Sequence, residues 1–345
     1  MDATTHIPVH VLTGFLGSGK TTLLNQLLQA GFGAETAVIV NEFGDVGLDQ
    51  LFVQARSQET IVLKSGCVCC TIRTDLVTTL MHLVALRGAM APFRRILIET
   101  SGISDPLPIL QTLRADFNLL TRFRVGRVIC AIGAADGAPW EERAEGLAQV
   151  TAADAIVITK RDLVDDVTAE ALHAALAALN TLADIVPAGG PEVVGWLERE
   201  EARGDDARRA LRLLQLPVAA GIRGHGVRST VIRAAAPASW SQFAIWLTRL
   251  VFLHGDRILR TKGLLFDRER EVWIAVHGVR RFFHPPVHLT LPAPPDCGAC
   301  LVFITENLDP ALIERSYRRL AGDPAQPPVS PERHNTADRR EATVH

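Results

Sequence analysis

No apolar run in this sequence approaches the ~20 residues that a membrane-spanning helix needs. Nor is there an N-terminal basic region followed by a long apolar stretch, so no secretory leader is evident. The expectation is a soluble, cytoplasmic protein with no membrane partner. The chain also lacks the basic excess of a nucleic-acid-binding surface: 36 Lys and Arg face 38 Asp and Glu, for a net charge of −2. A disulfide framework is missing as well. Of the six cysteines, half crowd into Cys67-Val68-Cys69-Cys70, and near-adjacent cysteines cannot pair without strain. In a reducing compartment such crowding points to metal binding or redox chemistry. No internal repeat is visible. The chain does have 345 residues, 48% of them apolar, enough for two domains with a substantial core.

The most informative stretch is Val9-His10-Val11-Leu12-Thr13-Gly14-Phe15-Leu16-Gly17-Ser18-Gly19-Lys20-Thr21-Thr22. It reads as an apolar strand, a glycine-rich loop and a helix opening at Lys20, and it fits the P-loop pattern in full. Gly14, Gly17 and Gly19, with Ser18 between them, let backbone N–H groups surround a phosphate where side chains would block it. The helix N-terminus adds partial positive charge at Lys20, Thr21 and Thr22. Lys20 is expected to reach the outer phosphates, and the Thr21 hydroxyl to bind Mg²⁺. A nucleoside triphosphate is the implied ligand.

Short apolar runs at 36–40, 61–63, 95–98, 125–132, 155–158 and 183–187 alternate with helical stretches at 20–30, about 72–86, 140–151 and 167–180. This rhythm predicts a P-loop NTPase domain of α/β class, with a mainly parallel sheet and helices on both faces. Ligands of such sheets sit at the carboxyl ends of the strands, where Thr13, Asn41, Gly102 and Thr159 all fall. Residues 1–190 are assigned to this domain and 191–225 to a linker region, in which Gly189-Gly190-Pro191 opens a short helix and 198–209 is highly charged. A smaller C-terminal α+β domain takes 226–321, with a helix at about 240–251, strands near 257–265, 271–277, 279–284 and 300–305, and a closing helix from Pro310. The tail, 322–345, is rich in Pro, charge and small polar residues, the composition of a disordered segment.

Two loops have the look of switches. Asn41-Glu42-Phe43-Gly44-Asp45-Val46-Gly47-Leu48-Asp49 follows the second strand, a natural place to sense a terminal phosphate. Arg95-Ile96-Leu97-Ile98-Glu99-Thr100-Ser101-Gly102 is a buried strand ending in a carboxylate and a glycine. It reads as a Walker B strand and second switch, with Glu99 beside Mg²⁺ and the Gly102 N–H near the γ-phosphate. Glu42, Asp45, Asp49 and Glu99 are the candidates for positioning the attacking water, and Lys20, Glu42 and Glu99 form the candidate catalytic set.

Thr159-Lys160-Arg161-Asp162 resembles the guanine-recognition motif Asn-Lys-x-Asp. The Asp162 carboxylate would accept from two adjacent donors on guanine, a pair adenine does not offer, and the Lys160 stem would pack along the base. Thr159 departs from the usual Asn, so one amide contact is missing or replaced. GTP is favoured over ATP.

The cysteine cluster lies between the two switches. Thiolates are soft ligands suited to Zn²⁺. Cys67, Cys69 and Cys70 supply part of a tetrahedron, and Glu42 is the candidate for the rest. Three buried structural thiols, or a redox pair, is the competing reading. Cys130, within a strand, and Cys300, at the start of another, are expected in the core. His277 and His284 are expected to be hydrogen-bonded structural residues rather than auxiliary ligands.

Together these elements resemble the CobW-type family of metal-associated GTPases. The match rests on the P-loop, Asn41-Glu42-Phe43-Gly44, Cys67-Val68-Cys69-Cys70, Glu99-Thr100-Ser101-Gly102 and Lys160-Arg161-Asp162. In the second domain it rests on Arg228-Ser229, Lys262-Gly263-Leu264-Leu265, His277-Gly278-Val279 and His284-Pro285-Pro286. The resemblance implies a slow GTPase that binds Zn²⁺, or alternatively Co²⁺ or Fe²⁺, and passes it to a client metalloenzyme of unstated identity. It also implies a GTP-linked homodimer. Many members carry a His-rich run between the domains, whereas residues 203–226 here hold only His225, which leaves the cysteine site as the main one. Two rivals remain. A small-molecule kinase would need an arginine-bearing lid, and none is evident; a non-catalytic metal sensor or scaffold would keep its nucleotide as a structural part.

Overall fold

The structure is a computed structural model, and it describes residues 6–42, 60–64, 71–86, 93–137, 139–201, 213–214, 226–234, 239–291 and 298–320. The loop 43–49 with Asp45 and Asp49, the cysteines Cys67, Cys69, Cys70 and Cys297, His225 and the tail lie outside the described residues.

In chain order the first sheet and its helices are β1 (Ile7–Thr13), α1 (Lys20–Gln29), β2 (Thr36–Glu42), β3 (Thr60–Lys64), α2 (Thr71–Leu86), β4 (Arg95–Glu99), α3 (Leu107–Ala115), α4 (Phe117–Leu120), β5 (Phe123–Gly133), α5 (Pro139–Glu142), α6 (Ala144–Ala152), β6 (Ala155–Thr159), α7 (Asp166–Leu179), β7 (Asp184–Pro187) and α8 (Gly190–Glu201). The seven strands run in the order β3-β2-β4-β1-β5-β6-β7, and every neighbouring pair is parallel. Strands buried on both faces read as continuous apolar runs, which is why β1, β4 and β6 stand out in the sequence. One face is packed by Leu76, Leu80 and Leu83 of α2 with Ile109, Leu110 and Leu113 of α3. The other is packed by Leu23, Leu24 and Leu27 of α1 with Val193, Trp196 and Leu197 of α8. The expected linker region therefore opens with a helix seated in the first sheet's own core.

The helix expected over 140–151 is two helices. Arg143 is extended (φ −114°, ψ 136°), and Gly146 passes so close to Trp140 that a Cβ there would lie 2.4 Å from the Trp140 Cα. α3 and α4 were not expected from the sequence.

The second sheet holds β8 (Val227–Ala234), β9 (Ile258–Asp267), β10 (Val272–Val279), β11 (Phe282–Phe283), β12 (Val287–Leu289) and β13 (Ala299–Glu306), with α9 (Trp240–His254) and α10 (Pro310–Leu320). Its order is β11-β10-β9-β13-β8, with β12 beside β10, and all pairs are antiparallel. Phe243, Trp246 and Leu250 of α9 and Ile313 and Tyr317 of α10 cover one face. The strand expected over 279–284 shrinks to β11, because Arg280 turns with φ 50° and the chain pairs again at once, Val279 opposite Phe282.

The two sheets share a core: Val227, Leu259 and Ile304 of the second pack with Ile132, Leu147, Ile156 and Leu176 of the first. No described helix is long and apolar enough to cross a membrane.

Candidate functional site

β1 delivers the chain, fully buried, to Thr13. The loop that follows turns on Gly14, Gly17 and Gly19, with φ of 144°, 77° and 84°, values that favour glycine. A Cβ on Gly14 would lie 2.3 Å from the Ala131 carbonyl oxygen, so the loop passes directly over β5. Ser18 is buried. Lys20, first residue of α1, folds back so that its Nζ donates to the Phe15 carbonyl at 3.1 Å, and Thr22 is exposed at the helix surface.

The Thr21 hydroxyl donates to Glu99 Oε1 at 2.8 Å, although the two are 78 residues apart. Glu99 is buried at the end of β4. The next residue, Thr100, donates to Thr13 at 2.9 Å, which ties the ends of β4 and β1 together. Gly102 sits against the P-loop itself: a Cβ there would lie 2.8 Å from both the N and the Cα of Leu16.

On the other side, the Thr159 hydroxyl donates to the Ser18 carbonyl at 2.6 Å. That hydroxyl links β6 to the phosphate loop. Lys160 is left-handed (φ 54°) and its Nζ meets Asp136 Oδ1 at 2.6 Å. Asp162 is exposed in the turn that follows. The predicted residues Gly14, Gly17, Ser18, Gly19, Lys20, Thr21, Glu99, Gly102, Thr159 and Lys160 thus gather at one end of one sheet.

A family model described as the CobW/HypB/UreG nucleotide-binding domain matches residues 8–187. The chain belongs to the CobW/HypB/UreG family of P-loop GTPases. A second model, the cobalamin synthesis protein cobW C-terminal domain, matches residues 227–321 of this CobW-type chain. It is 30% identical over 287 residues to the zinc chaperone YjiA of Escherichia coli K12, spanning 80% of this chain and 87% of that one. To the zinc chaperone CobW of Pseudomonas aeruginosa it is 41% identical over 117 residues, 31% of this chain and 30% of the relative. The crystal structure of the Zn(II)-bound YjiA GTPase matches with a TM-score of 0.66 at 26% identity, covering 92% of this chain and 99% of that one.

In this CobW-type GTPase the cysteine cluster lies outside the described residues, as does the side chain of Glu42, although its backbone closes β2. Among the described residues no group of three or more His, Cys, Asp or Glu is arranged to hold a metal. Cys130 and Cys300 are fully buried, and burial pushes the Cys130 thiol up to about 12, the wrong direction for a thiolate ligand. His284 lies against Arg114 of α3, and burial with that guanidinium beside it pulls the imidazole down to about 3. His277, ring to ring with His284 at 5.9 Å, is held well below its ordinary range by burial and by Lys262.

Sequence reasoning missed three members of the site. Thr100 adjoins Glu99 and could have been read from that neighbour. Asp136 and Gln149 carry no local signal, because what defines them is contact with Lys160 and with the segment that follows β4.

Proposed function

We propose that this GTPase is a metallochaperone that carries Zn²⁺ as cargo on Cys67, Cys69, Cys70 and Glu42 and hands it to a client metalloenzyme in the cytoplasm. One observation carries the reading, the register at the carboxyl edge of the first sheet. Glu42 pairs with Lys64, and Lys64 ends β3 three positions before Cys67. On its other side, β2 runs beside β4, with Val40 opposite Glu99. The chain therefore leaves for the cysteines from beside Glu42, and the same strand borders the nucleotide site. Soft thiolates with one carboxylate suit zinc, and similarity to two proteins named zinc chaperones favours that ion over Co²⁺ or Fe²⁺.

Mg²⁺ fits the residues present, since a hydroxyl and a carboxylate, both hard oxygen donors, already meet at Thr21 and Glu99. When bound it would neutralise charge on the phosphates. The chain's own part in hydrolysis is to cradle the phosphates with the P-loop N–H groups, place Lys20 on their outer oxygens and bring Gly102 beside the terminal phosphate. Glu42, Asp45, Asp49 and Glu99 are the candidate acids for orienting the attacking water. Asp162 reads the base.

Zinc and nucleotide bound on adjoining strands bias each other reciprocally. The test is competitive zinc titration of the wild type and a Cys69→Ala/Cys70→Ala variant, each with GTP, GDP and no nucleotide. Zinc affinity is expected to fall in the variant and, in the wild type, to differ between GTP and GDP. Equal affinities in all three nucleotide states would remove the coupling. Tighter binding of Co²⁺ or Fe²⁺ than of zinc in the same titration would change the cargo, and sedimentation of the GTP-loaded protein tests the nucleotide-linked dimer.

A further inference from the structure

The segment that follows β4 is held from two sides. On one side is the P-loop, whose Leu16 backbone leaves no room for a side chain at Gly102. On the other is Gln149 of α6. Its amide nitrogen donates to the Gly102 carbonyl at 3.1 Å and to the Ser104 carbonyl at 3.0 Å. Gln149 is fully buried, and its Oε1 has no hydrogen-bond partner among the described residues. A buried polar atom left unmet is costly, and an apolar side chain would pack there without that cost. Among the described residues, the hydrogen bonds that the Gln149 side chain makes are those to the two carbonyls.

The same turn of α6 is gripped again by the second sheet. Arg260 of β9 is buried and donates through Nη1 to the carbonyls of Thr151, at 3.2 Å, Ala152, and Ala153, at 2.8 Å. Its Nη2 pairs with Asp154, which accepts from the Val128 N–H at 3.1 Å. These carbonyls are the negative end of the helix. Gln149 and Ala153 are one helical turn apart, about 6 Å along the axis. Gln149 and Arg260 therefore hold the same last turn of α6 from two sides. The β10–β11 hairpin meets the segment after β4 further on, since Arg280 acts on Asp105 through its charge and Arg114 reaches the Phe282 carbonyl at 3.5 Å.

We propose that Gln149 is a positioning residue for the second switch, and that the last turn of α6 passes the nucleotide state from it to Arg260, so that the seating of the C-terminal sheet depends on whether GTP or GDP is bound. This rests on Gly102 contacting the γ-phosphate and is independent of zinc. The coupling runs both ways: a partner that draws on the C-terminal sheet alters GTP binding.

Four variants of the full chain test it: Gln149→Leu, Arg260→Met, Arg260→Lys and the double variant Gln149→Leu/Arg260→Met. The readouts are Kd for GTP and for GDP, and steady-state kcat and KM. Gln149→Leu is expected to change the GTP-to-GDP affinity ratio by about 5-fold or more, the lower end of ordinary coupling, and to lower kcat. Arg260→Met, remote from the nucleotide, should shift the ratio in the same direction. Arg260→Lys should restore part of the shift, and the double variant should fall short of the product of the single effects. A ratio unchanged within two-fold in Arg260→Met, or full multiplicativity in the double variant, would overturn the relay. If a variant fails to fold, hydrogen exchange of the wild-type protein decides: protection across β9 and 280–284 must differ between a non-hydrolysable GTP analogue and GDP, and identical protection overturns the proposal. Wild-type turnover lost in Lys20→Ala is the separate control on the GTPase site, so failure of that reading is distinguishable.

Discussion

Gly102 is the point where the segment after β4 meets the glycine-rich loop, and the space there admits hydrogen alone. A Cβ would stand 2.8 Å from Leu16 backbone atoms, which have no rotamer by which to retreat. Gly102→Ala must therefore push β4's exit away from the P-loop. The expected outcome is a loss of kcat/KM for GTP of more than about 10-fold, roughly 1.4 kcal/mol of transition-state stabilisation, while GDP binding suffers less. Steady-state kinetics with a parallel GDP titration measures both. Asp162 gives the complementary case, being exposed. Asp162→Asn exchanges an acceptor for a donor and should move preference from GTP toward xanthosine triphosphate with an unchanged melting temperature. Undiminished GTP binding by that variant would end the guanine assignment.

At the scale of elements, α8 shows how a segment can read as a connector and fold as core. Glu198, Arg199 and Glu200 make its second half look solvated, yet Val193, Trp196 and Leu197 are buried against α1, and the Trp196 indole donates to Asp184 at 2.9 Å. Leu197→Ala should cost about 2–5 kcal/mol, as in any packed core, where a true linker position would cost under about 0.5 kcal/mol; urea unfolding separates these values. The same contrast explains what the sequence reveals in general. β1, β4 and β6 are legible because both faces are buried, and the P-loop because its φ values demand glycine at fixed spacing. Thr21 and Glu99 are expected from the sequence to share one ion, and in the structure their side chains hydrogen-bond to each other. The grip of Thr159 on Ser18 spans 141 residues and leaves no trace in either neighbourhood. Gln149 reads as an ordinary helix residue, and the break at Arg143 is set by the approach of Gly146 to Trp140. Local pattern predicts what local geometry requires, and tertiary contacts override it elsewhere.

For the molecule as a whole, the seam between the two sheets is polar at one edge and holds two neutral histidines among cations. His284 faces Arg114 from α3, with Arg127 of β5, Asp154 and Arg260 also acting on it, and His277 faces Lys262, His284, Asp154 and Arg260. Asp154 is the one acid among these groups, and it already meets Arg260 and, at 3.6 Å, Lys262. Protonating either imidazole would add positive charge to this buried, cation-rich place. In the unfolded chain both rings take up a proton near 6.5, whereas folded His284 resists until about 3. Below 6.5 the unfolded state binds more protons than the folded one, so stability falls as pH falls, by up to about 1.4 kcal/mol per pH unit for each such ring. The contribution is fully present above 6.5 and is lost across the window from there down to about 3. Replacing His284 with Gln keeps a polar side chain of similar reach and removes one titrating group. Between pH 6.5 and 5 the wild type should lose about 1.5 kcal/mol more unfolding free energy than His284→Gln, read from urea denaturation at the two pH values. An equal loss in both proteins would mean that this imidazole is not kept neutral by the seam, and that the two domains are not held together there in the way the structure describes.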